Sequence, residues 1–275
     1  MERAVRITRA EAYVISVMQR IPLLSYYATA RGWSFLISWG HRLAGLTLVA
    51  YMFAHLYTLS LLFHPATFDA DMRFLDNFVF TFLEWCVAIP VIFHALNGGR
   101  LILYETFRLR EEELAIRSMI AVGFIYIAVV AFFFIEEAHQ ISATVFWSIT
   151  LAISIVALTL VLFKIWLTRN SLLWKLQRVT GAFMFAMLIG HMLFMHMNYL
   201  TGHDSKTILL RFESPFIRGM DFAFVIFLLF HAGYGLFSII ADYIKPGPLL
   251  KTTTLVIIIV MAISAFYGIR LIVAL

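Results

Sequence analysis

The chain has 275 residues, 62% of them hydrophobic and 13% charged, with a mean hydropathy of +0.90, which is too apolar for a soluble domain of ordinary composition. Its formal charge of +5 carries no cluster suited to nucleic acid and acts instead as a membrane-orientation signal. A lone cysteine, Cys86, excludes an internal disulfide and an iron–sulfur cluster held by this chain alone.

A helix needs about 20 apolar residues to cross roughly 30 Å of hydrocarbon. Seven such runs are expected, near Phe35–Phe63, Val79–Tyr104, Met119–Ile135, Thr144–Leu167, Trp174–Leu200, Met220–Tyr243 and Thr253–Leu275. The fold class is therefore an all-α transmembrane bundle. Residues 1–34 carry Arg3, Arg6, Arg9, Arg20 and Arg31 without a compact apolar stretch. They read as a cytoplasmic or interfacial arm and not as a cleaved signal peptide. With the N-terminus inside, sixteen of the 21 Lys and Arg fall on the cytoplasmic side, as the positive-inside rule requires. Seven spans then put the C-terminus outside.

The first span carries Ser38, His41 and Arg42 near its inner end and His55 deeper. An acidic outer loop, 64–77, precedes the second span, in which Pro90 should kink the helix four residues before His94. The third span has no ionisable residue until Glu136 and Glu137. The fourth has neither Gly nor His, and the fifth to seventh repeat the first three. HRLAGLTLVAYMFAH at 41–55 recurs as QRVTGAFMFAMLIGH at 177–191, an offset of 136 residues. His94 and Glu105 recur as His231 and Asp242. The division expected is an arm (1–34), a three-helix repeat (35–138), a linking helix (139–170) and a second repeat (171–275). Because three spans end on the opposite side from their start, the linking helix lets both repeats point the same way.

Each repeat contributes two histidines to the hydrocarbon, where an ionisable residue is costly and usually faces the bundle interior. His55 lies 13 residues beyond Arg42 and His94 lies 6 before Arg100. If both arginines mark the inner boundary, the two levels differ by roughly 10 Å. The duplication pairs His55 with His191 and His94 with His231. Two coplanar histidine pairs from facing helices suit two b haems stacked across the membrane, with Ala54, Ala95, Gly98, Gly190, Ala232 and Gly235 leaving room. The absence of C-x-x-C-H excludes covalent attachment. Arg42, Arg100 and Arg178 suit haem propionates or lipid head groups. His64, His139 and His203 read as solvated, and His196 as structural.

At these residues the chain resembles the cytochrome b membrane anchor of succinate:quinone oxidoreductases and quinol:fumarate reductases. Ser38-Trp39-Gly40-His41-Arg42-Leu43-Ala44-Gly45 and His94-x3-Gly98-x-Arg100 are similar to segments of the larger anchor subunit. His231-Ala232 with Asp242-Tyr243-x-Lys245-Pro246 is similar to the ending of the smaller one. One chain thus looks like both anchors joined. The resemblance implies two haem b, the inner one ligated by His94 and His231 and the outer one by His55 and His191. It implies a quinone site (menaquinone or ubiquinone) at Ser38, Arg42 and Tyr243; Asp242 or Glu105, at the aqueous edge, reads as a proton supply or as a helix-end charge. It also implies iron–sulfur and flavoprotein partners on the cytoplasmic side of a bacterial or archaeal cell membrane. Dicarboxylate chemistry would then belong to the flavoprotein. Three departures stand out: the seven spans match neither separate anchors of three each nor the usual single-chain five unless the fourth is the joining element, Leu101 replaces a common second histidine, and Leu229 replaces a glutamate linked to proton movement in some fumarate reductases. The rival readings are a cytochrome b anchor of hydrogenase or formate dehydrogenase, and a transporter built from parallel repeats.

Overall fold

The computed structural model describes residues 22–107, 143–196 and 203–274 together with isolated positions between 16 and 128; residues 22–36, 81, 84, 85, 143 and 196 are described by their backbone. All regular structure among them is helical: α1 Pro22–Ser60, a 3-10 turn Leu61–Phe63, α2 Pro65–Leu75, α3 Phe78–Phe107, α4 Ala143–Ile165, α5 Leu172–His191, a π turn Met192–His196, α6 Ser205–Phe212, α7 Pro215–Tyr243 and α8 Pro248–Ala274. Six helices among the described residues are long and apolar enough to cross a bilayer, and the chain is a multi-pass membrane protein. The predicted third span falls largely outside the described residues. Within it, 121–125 is helical and Gly123 abuts α3, where an added Cβ would stand 3.2 Å from the Leu96 side chain.

The ends of these helices follow from local chemistry. Ser171 caps α5 by accepting from the Trp174 amide at 3.3 Å. Asp204 caps α6 by accepting from the Thr207 amide at 2.8 Å. Pro215 opens α7, where its missing N–H costs nothing. Lys245-Pro246-Gly247-Pro248 separates α7 from α8. α3 continues through Pro90 from Phe78 to Phe107. At 39 residues, α1 is about 58 Å long. Its apolar part begins at Ile37, so the helix starts well before the bilayer, within the arm expected from sequence.

Between apolar helices in lipid, close backbone approach at small residues does what water exclusion does elsewhere. An added Cβ at Gly40 would stand 3.1 Å from Phe93, joining α1 to α3. One at Gly233 would stand 3.0 Å from Met261, joining α7 to α8. One at Gly190 would stand 2.6 Å from Thr150, joining α5 to α4. The largest buried cluster lies on this last contact, with Trp147 of α4 against Phe183, Met184 and Met187 of α5 and Met220 and Phe224 of α7. A second α4–α5 cluster, Val161, Ile165, Val179 and Ala182, lies toward the other end. Elsewhere large apolar side chains such as Phe163 and Ile149 on α4 point outward, as a lipid-facing surface requires.

One expectation changes. Residues 64–77, expected as an acidic loop, contain α2, an amphipathic helix that buries Phe68 and Met72 one turn apart. Pro65 starts it, and the acids occupy its other faces. α2 meets α6, the short helix at the corresponding place in the second repeat. Phe68 and Met72 pack with Ile208 and Phe212, and with Leu271 and Ile272 of α8. Asp69 accepts from the Ser205 amide at 3.0 Å and from its hydroxyl at 2.9 Å, so a residue of one repeat caps the first turn of a helix in the other. Together α2 and α6 cover one end of the bundle. The opposite end carries Arg42, Arg178 and the acids that face them.

Candidate functional site

The four intramembrane histidines come from four helices, His55 on α1, His94 on α3, His191 on α5 and His231 on α7. They meet in the pairs expected. The ring centres of His94 and His231 are 6.2 Å apart with planes at 86°; those of His55 and His191 are 6.0 Å apart at 85°. Packing at both levels repeats as well. His94 lies against Gly45, where a Cβ would stand 3.0 Å from its Cε1, and His231 against Gly181, where it would stand 3.1 Å from the matching atom. Similarly, Gly98 faces His41 at 3.6 Å and Gly235 faces Gln177 at 3.7 Å. Each contact joins residues that the 136–137 residue offset relates.

The His94–His231 pair is oriented through its second ring nitrogens. His94 Nδ1–H donates to the His41 carbonyl at 3.1 Å. The Thr180 hydroxyl donates to the Leu176 carbonyl at 2.8 Å, so its oxygen can accept from His231 Nδ1–H at 3.4 Å. Nε2 then carries the lone pair in both rings, the arrangement usual for a metal-bound imidazole. Gln177 fixes the backbone at His231 by donating to its carbonyl at 3.2 Å.

These separations suit a metal centre. Two imidazoles on one ion, with bonds of about 2 Å and a ring radius of about 1.1 Å, place their ring centres roughly 6.3 Å apart, close to the 6.2 and 6.0 Å found. Tyr51 stacks 5.7 Å from His55 and Phe224 lies 5.4 Å from His191, both as apolar walls. Because His94 lies beside Gly45 and His55 is ten residues further along α1, the levels stand about 15 Å apart. The sequence-based distance was shorter because it set Arg42 and Arg100 at one depth. α3 instead runs on past the level of Arg42, and the Arg100 side chain turns back to donate to Asn97 at 3.0 Å.

His41 has a larger part than its place in a signature suggested. Its ring stacks flat on His94 at 4.0 Å and 6°. Its Nδ1 and the Asn97 amide nitrogen are buried without a hydrogen-bond partner. Asn97 is fully buried, yet no periodicity or motif marked it.

At the arginine-bearing end, Arg42 donates to Asp242 at 2.5 Å and to the Tyr243 hydroxyl at 3.2 Å. Trp39 lies 6.2 Å from the Tyr243 ring, and Ser38 is exposed one turn before Arg42. The structure thus brings Arg42, Asp242 and Tyr243 together, with Ser38 on the same surface. Arg178 donates to Glu105 at 2.6 Å and lies 4.9 Å over the Trp174 ring. Arg42 of the first repeat therefore pairs with the acid of the second, and Arg178 of the second with the acid of the first. His64 and His203 lie in connecting segments near α2 and α6. His139, Glu136 and Glu137 lie outside the described residues, as does the His196 side chain.

Residues 25–132 and 157–269 match the family model described as the succinate dehydrogenase/fumarate reductase transmembrane subunit. The chain is also 30% identical over 95 residues to the succinate dehydrogenase 2 membrane subunit SdhC of Mycobacterium tuberculosis, a match covering 34% of this chain and 68% of that protein. No solved structure matches it.

Proposed function

Because the chain belongs to the succinate dehydrogenase/fumarate reductase transmembrane subunit family, we propose that it is a two-haem anchor that moves electrons between a cytoplasmic flavoprotein and iron–sulfur pair and membrane quinone. The observation that carries this reading is the repeated histidine geometry, two pairs from four helices at matching separations. The matched residues extend over both predicted repeats, which favours the joined-anchor reading and leaves the hydrogenase and transporter alternatives without support.

His94 with His231 and His55 with His191 would hold the two irons. The hydrogen bonds at Nδ1 of His94 and His231 keep those imidazoles in the ligating tautomer. When bound, the haems supply a pair of one-electron carriers spaced through the hydrocarbon. Arg42, with Tyr243 and Ser38, would bind the quinone head group. Their donors stabilise negative charge on a carbonyl oxygen as electrons arrive, in surroundings where water screens poorly. Asp242, already bonded to Arg42, would pass protons from the aqueous edge. Arg100 and Arg178, beside the inner level, are proposed to hold haem carboxylates. Sixteen of the 21 basic residues favour a cytoplasmic arginine-bearing end, so soluble partners would dock there.

Haem content and a redox titration of the assembled complex test the reading. Two haems per chain with separable potentials are expected, and one haem or none overturns it. Arg42→Leu should abolish quinone-coupled turnover while sparing dye reduction by the complex; unchanged quinone rates remove Arg42 from the quinone site.

A further inference from the structure

At the end of the bundle covered by α2 and α6, two buried nitrogen donors have nothing to donate to. Arg211, on the last turn of α6, has its Nε buried without a partner, and its Nη1 points at the Met195 sulfur. Trp147 of α4 is 2% exposed and its indole Nε1 is likewise buried and unpartnered. Its ring lies 5.4 Å from Phe194, and it shares a buried cluster with Met195. A thioether is a weak acceptor and a poor partner for a guanidinium. Native structures rarely leave such donors orphaned.

Both donors converge on the segment that follows His191. Met195 is four residues, one turn, past that ligand, and Met192–His196 forms a π turn, a distortion that recurs at functional sites. The buried side chains around it are apolar: Met187, Met195, Met220 and Phe224, the last 5.4 Å from His191. Burial holds the Arg211 guanidinium below the usual arginine range, and the charge of Asp221 on α7 opposes this. α6 is fixed in place by Asp69 and Asp204, so Arg211 is held against Met195 beyond His191. The missing group is therefore an anion with hydrogen-bond acceptors on an apolar body, one turn from the ligand.

We propose that Arg211, with Trp147 beside it, binds the carboxylates of the haem held by His55 and His191. This rests on the two-haem reading. It also gives α4, which the sequence treated as a purely structural joining helix, a part in the cofactor site. Arg211 is a positioning residue: its charge orients the macrocycle and offsets the carboxylate. Neutralising that negative charge makes the step from ferric to ferrous iron, which adds one electron, more favourable.

The test uses the assembled complex, with haem counted by pyridine haemochrome and both potentials resolved. His55→Ala identifies the outer potential by removing it. Arg211→Met should lower that potential and leave the inner one in place, Arg211→Lys should restore it in large part, and Trp147→Phe, which keeps the ring and removes the N–H, should lower it less. An outer potential unmoved in both Arg211→Met and Trp147→Phe, with two haems still bound, overturns the inference while leaving the two-haem reading standing. A wild-type complex with a single haem per chain overturns both.

Discussion

His94 illustrates how many neighbours position one imidazole. The His41 carbonyl holds its Nδ1 proton, the His41 ring lies flat against it, and Gly45 makes room for it. Replacing His94 or His231 by Ala should remove one haem and leave the other, since the two levels stand about 15 Å apart. Haem quantitation checks this, and loss of both would mean that the levels assemble as one. Away from the membrane, Thr207 hydrogen bonds hold the Asp204 carboxyl below the ordinary aspartate value of 3.8. The stability it contributes is fully present above that value and is lost as pH falls through the lower folded one. Hydrogen exchange in α6 should therefore quicken only in strong acid, and Asp204→Asn should remove that dependence.

At the scale of elements, the crossing of α4 and α5 depends on Gly190, where any side chain would meet Thr150. Thr150 cannot easily turn away, since its hydroxyl is bonded to the Phe146 carbonyl at 2.9 Å. Gly190→Val should cost about 1–3 kcal/mol by overpacking and lower the thermal midpoint of the purified complex. The cap over the opposite helix ends is joined across the repeats by the Asp69 carboxylate as well as by its apolar packing. Asp69→Ala removes two bonds to Ser205, each worth about 1 kcal/mol. It should free α6, seen as faster exchange at 205–212, with the spans unaffected. Because α6 carries Arg211, the same change should lower the outer haem potential.

For the molecule as a whole, the crossed pairs Arg42–Asp242 and Arg178–Glu105 join positions that the 136–137 residue offset exchanges. Glu105 is 30% and Arg178 21% exposed, so their bond is worth only about 0.2–1 kcal/mol after screening. Its larger effect is on the alignment of α5 with α3. Glu105→Arg alone should lower yield of the assembled complex, and Glu105→Arg with Arg178→Glu should recover it. Failure of the double exchange would show that one of the two residues has a further partner.

Hydropathy alone determined the membrane class and most span limits, because the hydrocarbon core tolerates few other compositions. The offset of 136 residues picked out His55, His94, His191 and His231, because duplicated helices keep the spacing of the side chains that meet between them. Asn97, Trp147 and Arg211 remained hidden, since their importance lies in buried donors and neighbours distant in the chain. The role of α2 was also out of reach: its apolar residues are few, and only contact with α6 makes it a cap. The sequence could specify which helices carry the paired histidines; tertiary packing decided their depth, since the level of His94 is set by Gly45 on another helix and not by the arginine in its own.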